Sequence, residues 1–438
     1  MNKFILKQIF DIKTYGIKEL FRKLYLLIQI IVRIPINIIA IVPCIIIRLA
    51  KPWIIIRVER VGSVNFGTFI TNTAVYYCKK KLKINLPTKK YIDLLYIHHQ
   101  DKIYNKQIAK MWKRKLIFFS SYLLDPINRV NKLIPGWQDH SIEEISAHVH
   151  GRDFDDLPKK CQPLDFTDEE EIYGKKMLKK FGLKDDDKFI CLAVRDSRYQ
   201  LEKIPKRFRN WSYHSYRNWD IDSFILASEE LAKRGYYVFR MGVIAEKAFN
   251  TNNPKIIDYV NSNFRNDFLD VYLGAKCAFC VSTGLGFDNV PTIFRRPIVL
   301  LVSPLGATGV NREEALLLYK HHILKKEKRR LSLSEIFSYG AAYALDTKIF
   351  EEKGIRLMDN TPEEIKDSVI EMVENIEHKR QLNSEDEELQ KTFRSLYALN
   401  TSRFSHDKEV REPYRHYRGQ IKFRHSTKFL RENKNWLR

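Results

Sequence analysis

Four apolar runs in the second half of the chain each end in residues suited to holding an anion. Lys188–Val194 (KFICLAV) leads into Arg195-Asp196-Ser197, and Tyr236–Gly242 (YYVFRMG) closes on Arg240-Met241-Gly242. Cys277–Ser282 (CAFCVS) leads into Ser282-Thr283-Gly284, and Pro297–Ser303 (PIVLLVS) into Ser303-Pro304-Leu305-Gly306. A Gly-rich turn between strand and helix lets the backbone approach a phosphate, and a helix N-terminus adds N–H groups and partial positive charge. Arginine supplies a permanent cation with forked donors that match phosphate oxygens. Strand ends are rich in turn residues in any fold, which accounts for the glycines and serines but less well for Arg195 and Arg240. The sequence Gly284-Leu285-Gly286-Phe287-Asp288-Asn289 lacks the third glycine of G-x-G-x-x-G, so it is a poor match to a dinucleotide-binding first turn. Alone, that loop reads equally well as a tight turn.

The elements that must position these ends alternate. The stretch 220–235 (DIDSFILASEELAKRG) reads as a helix with Asp at its start and Gly235 just past its end, and 265–276 (RNDFLDVYLGAK) as another. A short helix follows Gly286. Strands alternating with helices predict a parallel, doubly wound sheet, in which ligands bind at the carboxyl ends of the strands. In the first half, an apolar strand from Ile54 meets a small-residue turn at Gly62-Ser63, and a helix follows through Thr71 to Cys78. This is the opening β–loop–α of an α/β domain. The segment from His150 to Lys188 is polar, charged and Pro-interrupted, as a connection between domains would be.

The chain has 438 residues, enough for two or three domains, and its 44% hydrophobic and 12% aromatic content excludes a disordered polypeptide. A formal charge of +23 favours anionic partners: nucleic acid, lipid headgroups or phosphorylated substrates. Six scattered cysteines do not make a disulfide framework and suit a reducing compartment. Cys277 and Cys280 form a C-x-x-C inside an apolar run, where packing is expected rather than metal or redox chemistry. No cleavable signal is recognisable. The stretch Tyr25–Trp53 is very apolar, divided by Arg33, Pro35 and Pro43, and bordered by Arg22, Lys23, Arg48 and Lys51. Such a segment suits a helix lying in, or dipping into, an anionic membrane face; a buried helix is the alternative.

Two acidic runs, Asp153–Asp156 (DFDD) and Asp185–Asp187, could suggest a metal, but neither follows an apolar strand, and no metal site is expected. From Thr401 to Arg438, eleven Lys and Arg stand against four Asp and Glu, with Phe404, Tyr414, Tyr417, Phe423 and Phe429 interleaved. Aromatics among cations can stack on bases. No recognised nucleic-acid motif accompanies them, so a C-terminal helix and arm are expected, with no nucleic-acid partner.

The segments VRDSRY, HSYRNWDIDSFILASEELAKRGYYVFRMG, IIDYVNSNFRNDFLDVYLGAKCAFCVSTGLGFDNVP and IFRRPIVLLV resemble, in order and spacing, a family of bacterial glycosyltransferases associated with surface-polysaccharide biosynthesis. The resemblance is strongest from about Ile190 to Leu300 and continues through DNTPEEIKDSVIEM to GQIKFRHSTKFLRENKNWL. It implies an α/β fold of two Rossmann-like domains (GT-B type) facing a cleft, a nucleotide-sugar donor, a glycan or lipid-linked acceptor, and no metal or other cofactor. The expected division is a membrane-associated apolar and basic segment (1–50), a Rossmann-like acceptor domain and connection (51–185), a Rossmann-like donor domain (186–385) and a basic helix and arm (386–438). Carried over by position, Arg195, Ser197, Tyr216, Arg217, Asn218, Arg240, Gly242, Ser282, Thr283, Gly284 and Asp288 line the donor site. Arg217, then Arg240, is the expected diphosphate contact. Arg60, Gly62, Ser63 and Asn65 form the acceptor-side loop. Members of the family often show Gly-His-Leu where this chain has Gly62-Ser63-Val64, so acid–base work falls to His98, His99, Asp196 or His214, with Asp196 and His214 the choice on the donor side. The expected location is the cytoplasmic face of the inner membrane, peripheral or monotopic. A different group transferase on the same fold, moving pyruvyl for example, or a membrane-bound nucleic-acid binder are the alternatives.

Overall fold

The computed structural model describes residues 16–101, 103–142, 159–203, 211–302, 310–378, 382–404 and 421–438, with the isolated positions 12, 145, 157 and 305. Asp153–Asp156, Tyr414, Tyr417 and, apart from Leu305, the stretch Ser303–Gly306 lie outside the described residues. The first part of the chain comprises α1 (Ile17–Leu49), β1 (Ile55–Arg60), α2 (Phe66–Leu82), β2 (Tyr91–Tyr96), α3 (Lys106–Lys115) and α4 (Ser121–Asn131). Two compact units result. Residues 1–62, 85–101 and 116–146 form the first, and residues 63–84, 102–115 and 147–438 the second. Helices α2 and α3 thus belong with the second unit, although they are interleaved in sequence with the strands of the first.

In the first unit, β1 and β2 pair in parallel from Ile55–Tyr91 to Arg60–Tyr96. Helix α1 runs through Pro35 and Pro43 without interruption, so the prolines do not divide the apolar segment as the sequence suggested. Its residues Ala40, Cys44 and Ile47 join Leu124, Ile127 and Val130 of α4, with Val58 and Tyr96, in a small apolar core. Asn65 then starts α2, its side-chain oxygen accepting the Gly67 N–H at 3.0 Å, the usual means of satisfying one of the orphan donors at a helix start.

The second unit is built on an all-parallel seven-stranded sheet of β3 (Phe189–Ala193), β4 (Tyr237–Arg240), β5 (Ile256–Ile257), β6 (Cys280–Ser282), β7 (Ile298–Val302), β8 (Ala315–Tyr319) and β12 (Arg424–His425). These runs are apolar nearly throughout because both faces are covered, and each fully buried Val, Leu or Ile contributes about 1.5–3 kcal/mol. The spatial order is β12-β8-β7-β6-β3-β4-β5. With β3 counted as first, β5-β4-β3-β6-β7-β8 is the doubly wound order 3-2-1-4-5-6, whose reversal falls between β3 and β6. A second sheet pairs β9 (His321–Leu324) with β10 (Arg329–Arg330) and β11 (Ile355–Met358), antiparallel. The helix expected over 220–235 is a 3-10 turn, Ile221–Phe224, continued by the α-helix Ile225–Lys233, with Gly235 at φ +92° just beyond it.

Cys277 and Cys280 are buried free thiols. At the C-terminus, Phe423 and Phe429 pack with Phe393, Tyr397 and Trp436 in the second unit's core, which removes these two rings from any exposed stacking surface. The sheet member β12 comes from this same region and pairs with β8 at Arg424–Leu316 and His425–Leu317.

Candidate functional site

The carboxyl ends of β3 and β6 meet where the strand order reverses. The Arg195 backbone N–H donates to the Thr283 hydroxyl at 2.8 Å, and the Thr283 N–H donates to the Ala193 carbonyl at 3.0 Å. The Arg195 guanidinium donates to the Asn218 side-chain oxygen at 3.3 Å, and the Arg195 carbonyl receives the Trp219 N–H at 3.0 Å. From the following loop, Arg217 donates to the Gly284 carbonyl. Arg195, Arg217, Asn218, Thr283 and Gly284 therefore form one connected group, which includes five of the residues expected at a donor site. Arg195 is buried, and that burial, followed by the nearby charge of Arg217, pushes its pKa down to about 10. Two guanidiniums held close enough to repel form a place where an anion is stabilising.

The Gly-rich loop is held from within. Asp288 is buried; one of its carboxylate oxygens accepts the Ser282 hydroxyl and the other the Leu285 N–H at 2.8 Å. The Gly284 N–H turns back to the Ser282 oxygen at 3.2 Å. Burial raises the Asp288 pKa to about 6, against the opposing effects of the Ser282 and Leu285 donors and the Arg217 and Arg312 charges. With the N–H groups of Thr283, Gly284 and Leu285 committed inside the fold, cationic side chains rather than these amides face an anion here. Gly284 sits at φ +82°, where an L side chain is strained. Gly286 has a different reason: a Cβ there would stand 3.1 Å from the Gly67 nitrogen, and one on Gly67 would stand 2.9 Å from the Asn289 side-chain nitrogen. The loop and the first turn of α2 approach backbone to backbone, so a Cβ at Gly286 would have to push α2 aside, whereas at Gly67 the end of the Asn289 side chain can move away.

The remaining donor-side residues are placed as follows. Asp196 caps its own turn, accepting the Arg198 N–H at 3.0 Å and the Glu246 N–H at 2.9 Å. Ser197 donates to Glu246 at 3.4 Å. His214 lies between Tyr213, at 3.8 Å between ring centroids, and Tyr216, at 5.9 Å. The Tyr216 N–H donates to Thr347 at 3.1 Å. Arg240 is buried and donates to the Lys247 carbonyl at 2.6 Å, with Asp258 at 3.5 Å, while the Gly242 carbonyl accepts from Arg265 at 2.8 Å. Arg240 thus braces the loop after β4. Lys320, which sequence reading passed over, follows β8: buried over the Trp219 ring at 4.5 Å, it donates to the Asn218 carbonyl at 2.5 Å and pairs with Asp359 at 2.7 Å. Desolvation lowers its pKa, against the opposing effect of Asp359. Its position was invisible because β8 is placed by non-local pairing with β7.

Of the acceptor-side residues, Ser63 and Asn65 belong with the second unit and Arg60 and Gly62 with the first. The Ser63 carbonyl accepts the Tyr104 N–H at 2.9 Å. In the first unit, Arg60 forks onto Asp101. The β1 and β2 ends carry a polar network that sequence reading did not assemble: Glu59 accepts from Ser141 at 3.0 Å and Lys132 at 3.1 Å, and Asp125 accepts from Tyr96 at 3.1 Å and from Arg129. His98 Nε2 lies 3.7 Å from Asp125, and its Nδ1 accepts the Gln100 N–H at 3.2 Å, which puts the proton of the neutral ring on Nε2. Desolvation lowers the His98 pKa, against the opposing effect of Asp125. His99 is exposed and stacked between His98 and Tyr122, with Nδ1 3.2 Å from the Ser121 hydroxyl. Of the two, His98 is buried and His99 is exposed.

No protein-family model matches the chain, and no curated protein matches it. Among solved structures it is similar to a glycosyl transferase family 9 protein from Veillonella parvula, at 12% identity over 60% of this chain and 86% of that one, with a TM-score of 0.37. It is similar also to the E. coli ADP-heptose LPS heptosyltransferase II, at 12% identity, 73% and 98% coverage and a TM-score of 0.38. The E. coli heptosyltransferase WaaC with ADP gives 10%, 60%, 91% and 0.32. At these identities and scores, the functional reading rests on the chain's own residues.

Proposed function

We propose that the chain is a glycosyltransferase of the GT-B type that moves a sugar from a nucleotide-sugar donor to a glycan or lipid-linked acceptor without a metal ion. The observation that carries this reading is the coincidence of the strand-order reversal with the Arg195–Arg217–Gly284 group. Open parallel sheets bind ligands outside the carboxyl ends of their strands at such a reversal. In the reaction an acceptor hydroxyl attacks the anomeric carbon, the carbon–oxygen bond to phosphate breaks, and its electron pair leaves with the nucleoside diphosphate while the hydroxyl proton passes to a base. Charge grows on the leaving diphosphate, and fixed cations aimed at it lower the barrier. Arg217 takes that role, with Arg195 behind it. Asp288 and Ser282 hold the loop, and His99, His214 and Asp196 remain the candidate bases.

The test is turnover. Incubated with ADP-, UDP-, GDP- and CMP-sugars in the presence of EDTA, the folded protein should hydrolyse or transfer at least one donor, at a rate that added Mg²⁺ or Mn²⁺ leaves unchanged. A flat response across the panel, or activity that EDTA abolishes, refutes the respective half of the proposal.

A further inference from the structure

Helix α1 carries its polar side chains on one side, and four of them mark a line along it. Arg22, Gln29, Arg33 and Asn37 succeed one another at seven, four and four residues, the spacing of a single helix face, and Ala40, Cys44 and Ile47 extend the same line at three, four and three. The second half of that line is the face packed on α4, where Asn37 accepts from Arg129 at 3.1 Å and the Cys44 thiol donates to the Ile127 carbonyl at 3.4 Å. Most of the rest of the circumference is, among the described residues, apolar and exposed. Ile28 and Ile31 are 57% and 55% exposed in the first half, Ile39 and Ile46 are 71% and 58% exposed in the second, and Trp53, just beyond the helix, is 77% exposed. Only 17% of the most apolar window is buried, so α1 is not a core helix.

We propose that α1 lies in the plane of an anionic bilayer, with its polar line turned toward the protein and its apolar circumference sunk in lipid, and that it does not cross the membrane. Two observations choose this arrangement over a crossing. A bilayer pierced by the first half of α1 would leave the apolar face of the second half, through Leu49 and Trp53, in water; a bilayer parallel to the axis covers both halves at once. A crossing would also carry Arg33, which has no ion-pair partner among the described residues, into the hydrocarbon. In the plane, Arg33 stays at headgroup level, where lipid phosphates supply the opposite charge, and the +23 excess of the chain adds long-range attraction. The arrangement is independent of the donor reading.

Ile28 and Ile46 are exposed, point the same way and stand eighteen residues apart, about 27 Å along the axis. Ile28→Cys and Ile46→Cys in the full chain, each spin-labelled and bound to mixed phosphatidylcholine–phosphatidylglycerol vesicles, should report the same depth below the phosphates, to within about one helix turn, by oxygen and nickel-chelate accessibility. Labels differing by most of the 27 Å mean a crossing helix and overturn the proposal. So do labels that both remain in water, or protein that self-associates through α1 and stays off the vesicles. Circular dichroism of each labelled protein keeps a folding defect from passing for a negative result.

Discussion

The two units each end a set of parallel strands in charged residues, and the β1–β2 ends of the first treat those charges differently from the β3–β6 ends of the second. In the first unit the charges close on one another: Arg57 pairs with Asp93 at 2.7 Å, Arg60 forks onto Asp101, Lys132 meets Glu59 at 3.1 Å, and Arg129 meets Asp125. In the second, Arg217 bonds to the neutral carbonyl of Gly284 and Arg195 to the neutral amide of Asn218, and burial followed by the Arg217 charge lowers the hold of Arg195 on its proton. A closed ion-pair network builds rigidity and a polar surface for hydroxyl-bearing groups. Two guanidiniums crowded together favour an incoming anion. Under the proposed function, diphosphate binding falls to the second unit and acceptor chemistry to the first.

The sharpest way to break that comparison is to remove one cation from each edge. Arg217→Ala should lower turnover by roughly 100- to 1,000-fold, the usual cost of losing one transition-state donor, with the circular dichroism spectrum unchanged. Arg60→Ala should act through the acceptor KM and leave donor affinity at the wild-type level. Equal losses of donor affinity in both would erase the distinction.

A second prediction concerns pH. Burial raises the Asp288 pKa from 3.8 to about 6, so the native state holds a proton that the unfolded chain has already lost. The associated stabilisation is full below about pH 4 and is lost as pH rises to about 6, on the order of 3 kcal/mol in all. Urea midpoints measured across this window should fall with rising pH in the wild type, and Asp288→Asn should flatten that part of the curve. An unchanged slope would mean that Asp288 is not the buried acid described.

The smallest expected effect separates two glycines. Gly284→Ala, at φ +82°, should cost about 1–2 kcal/mol, whereas Gly62→Ala, with no positive φ and no atom within 4 Å of the added Cβ, should shift stability by no more than about 0.5 kcal/mol. Thermal denaturation of the two variants measures the difference directly.

Much of the second unit was legible because buried parallel strands write themselves as unbroken apolar runs. FICLA, YVFR, CVS and IVLLV stand where the sequence put strands, and Arg195, Thr283 and Gly284 gather because those strands are sheet neighbours. What escaped depends on partners distant in sequence. Lys320 enters the site only because β8 pairs with β7, and β12 joins the sheet from a stretch that read as a basic arm. Arg240 looked free at a strand end, yet the Lys247 carbonyl and Asp258 close over it, a feature of loop geometry that composition does not encode. In the first unit, the Glu59 and Asp125 networks draw on side chains as much as 82 residues apart, and no local pattern announces them.

The most direct measurement is calorimetric titration of ADP, UDP, GDP and the other nucleoside diphosphates into wild-type, Arg217→Ala and Arg60→Ala proteins. At least one diphosphate should bind the wild type and Arg60→Ala with matching affinity and bind Arg217→Ala at least about 10-fold more weakly. Binding that survives Arg217→Ala and fails in Arg60→Ala, or no diphosphate binding by folded wild-type protein, would contradict the account.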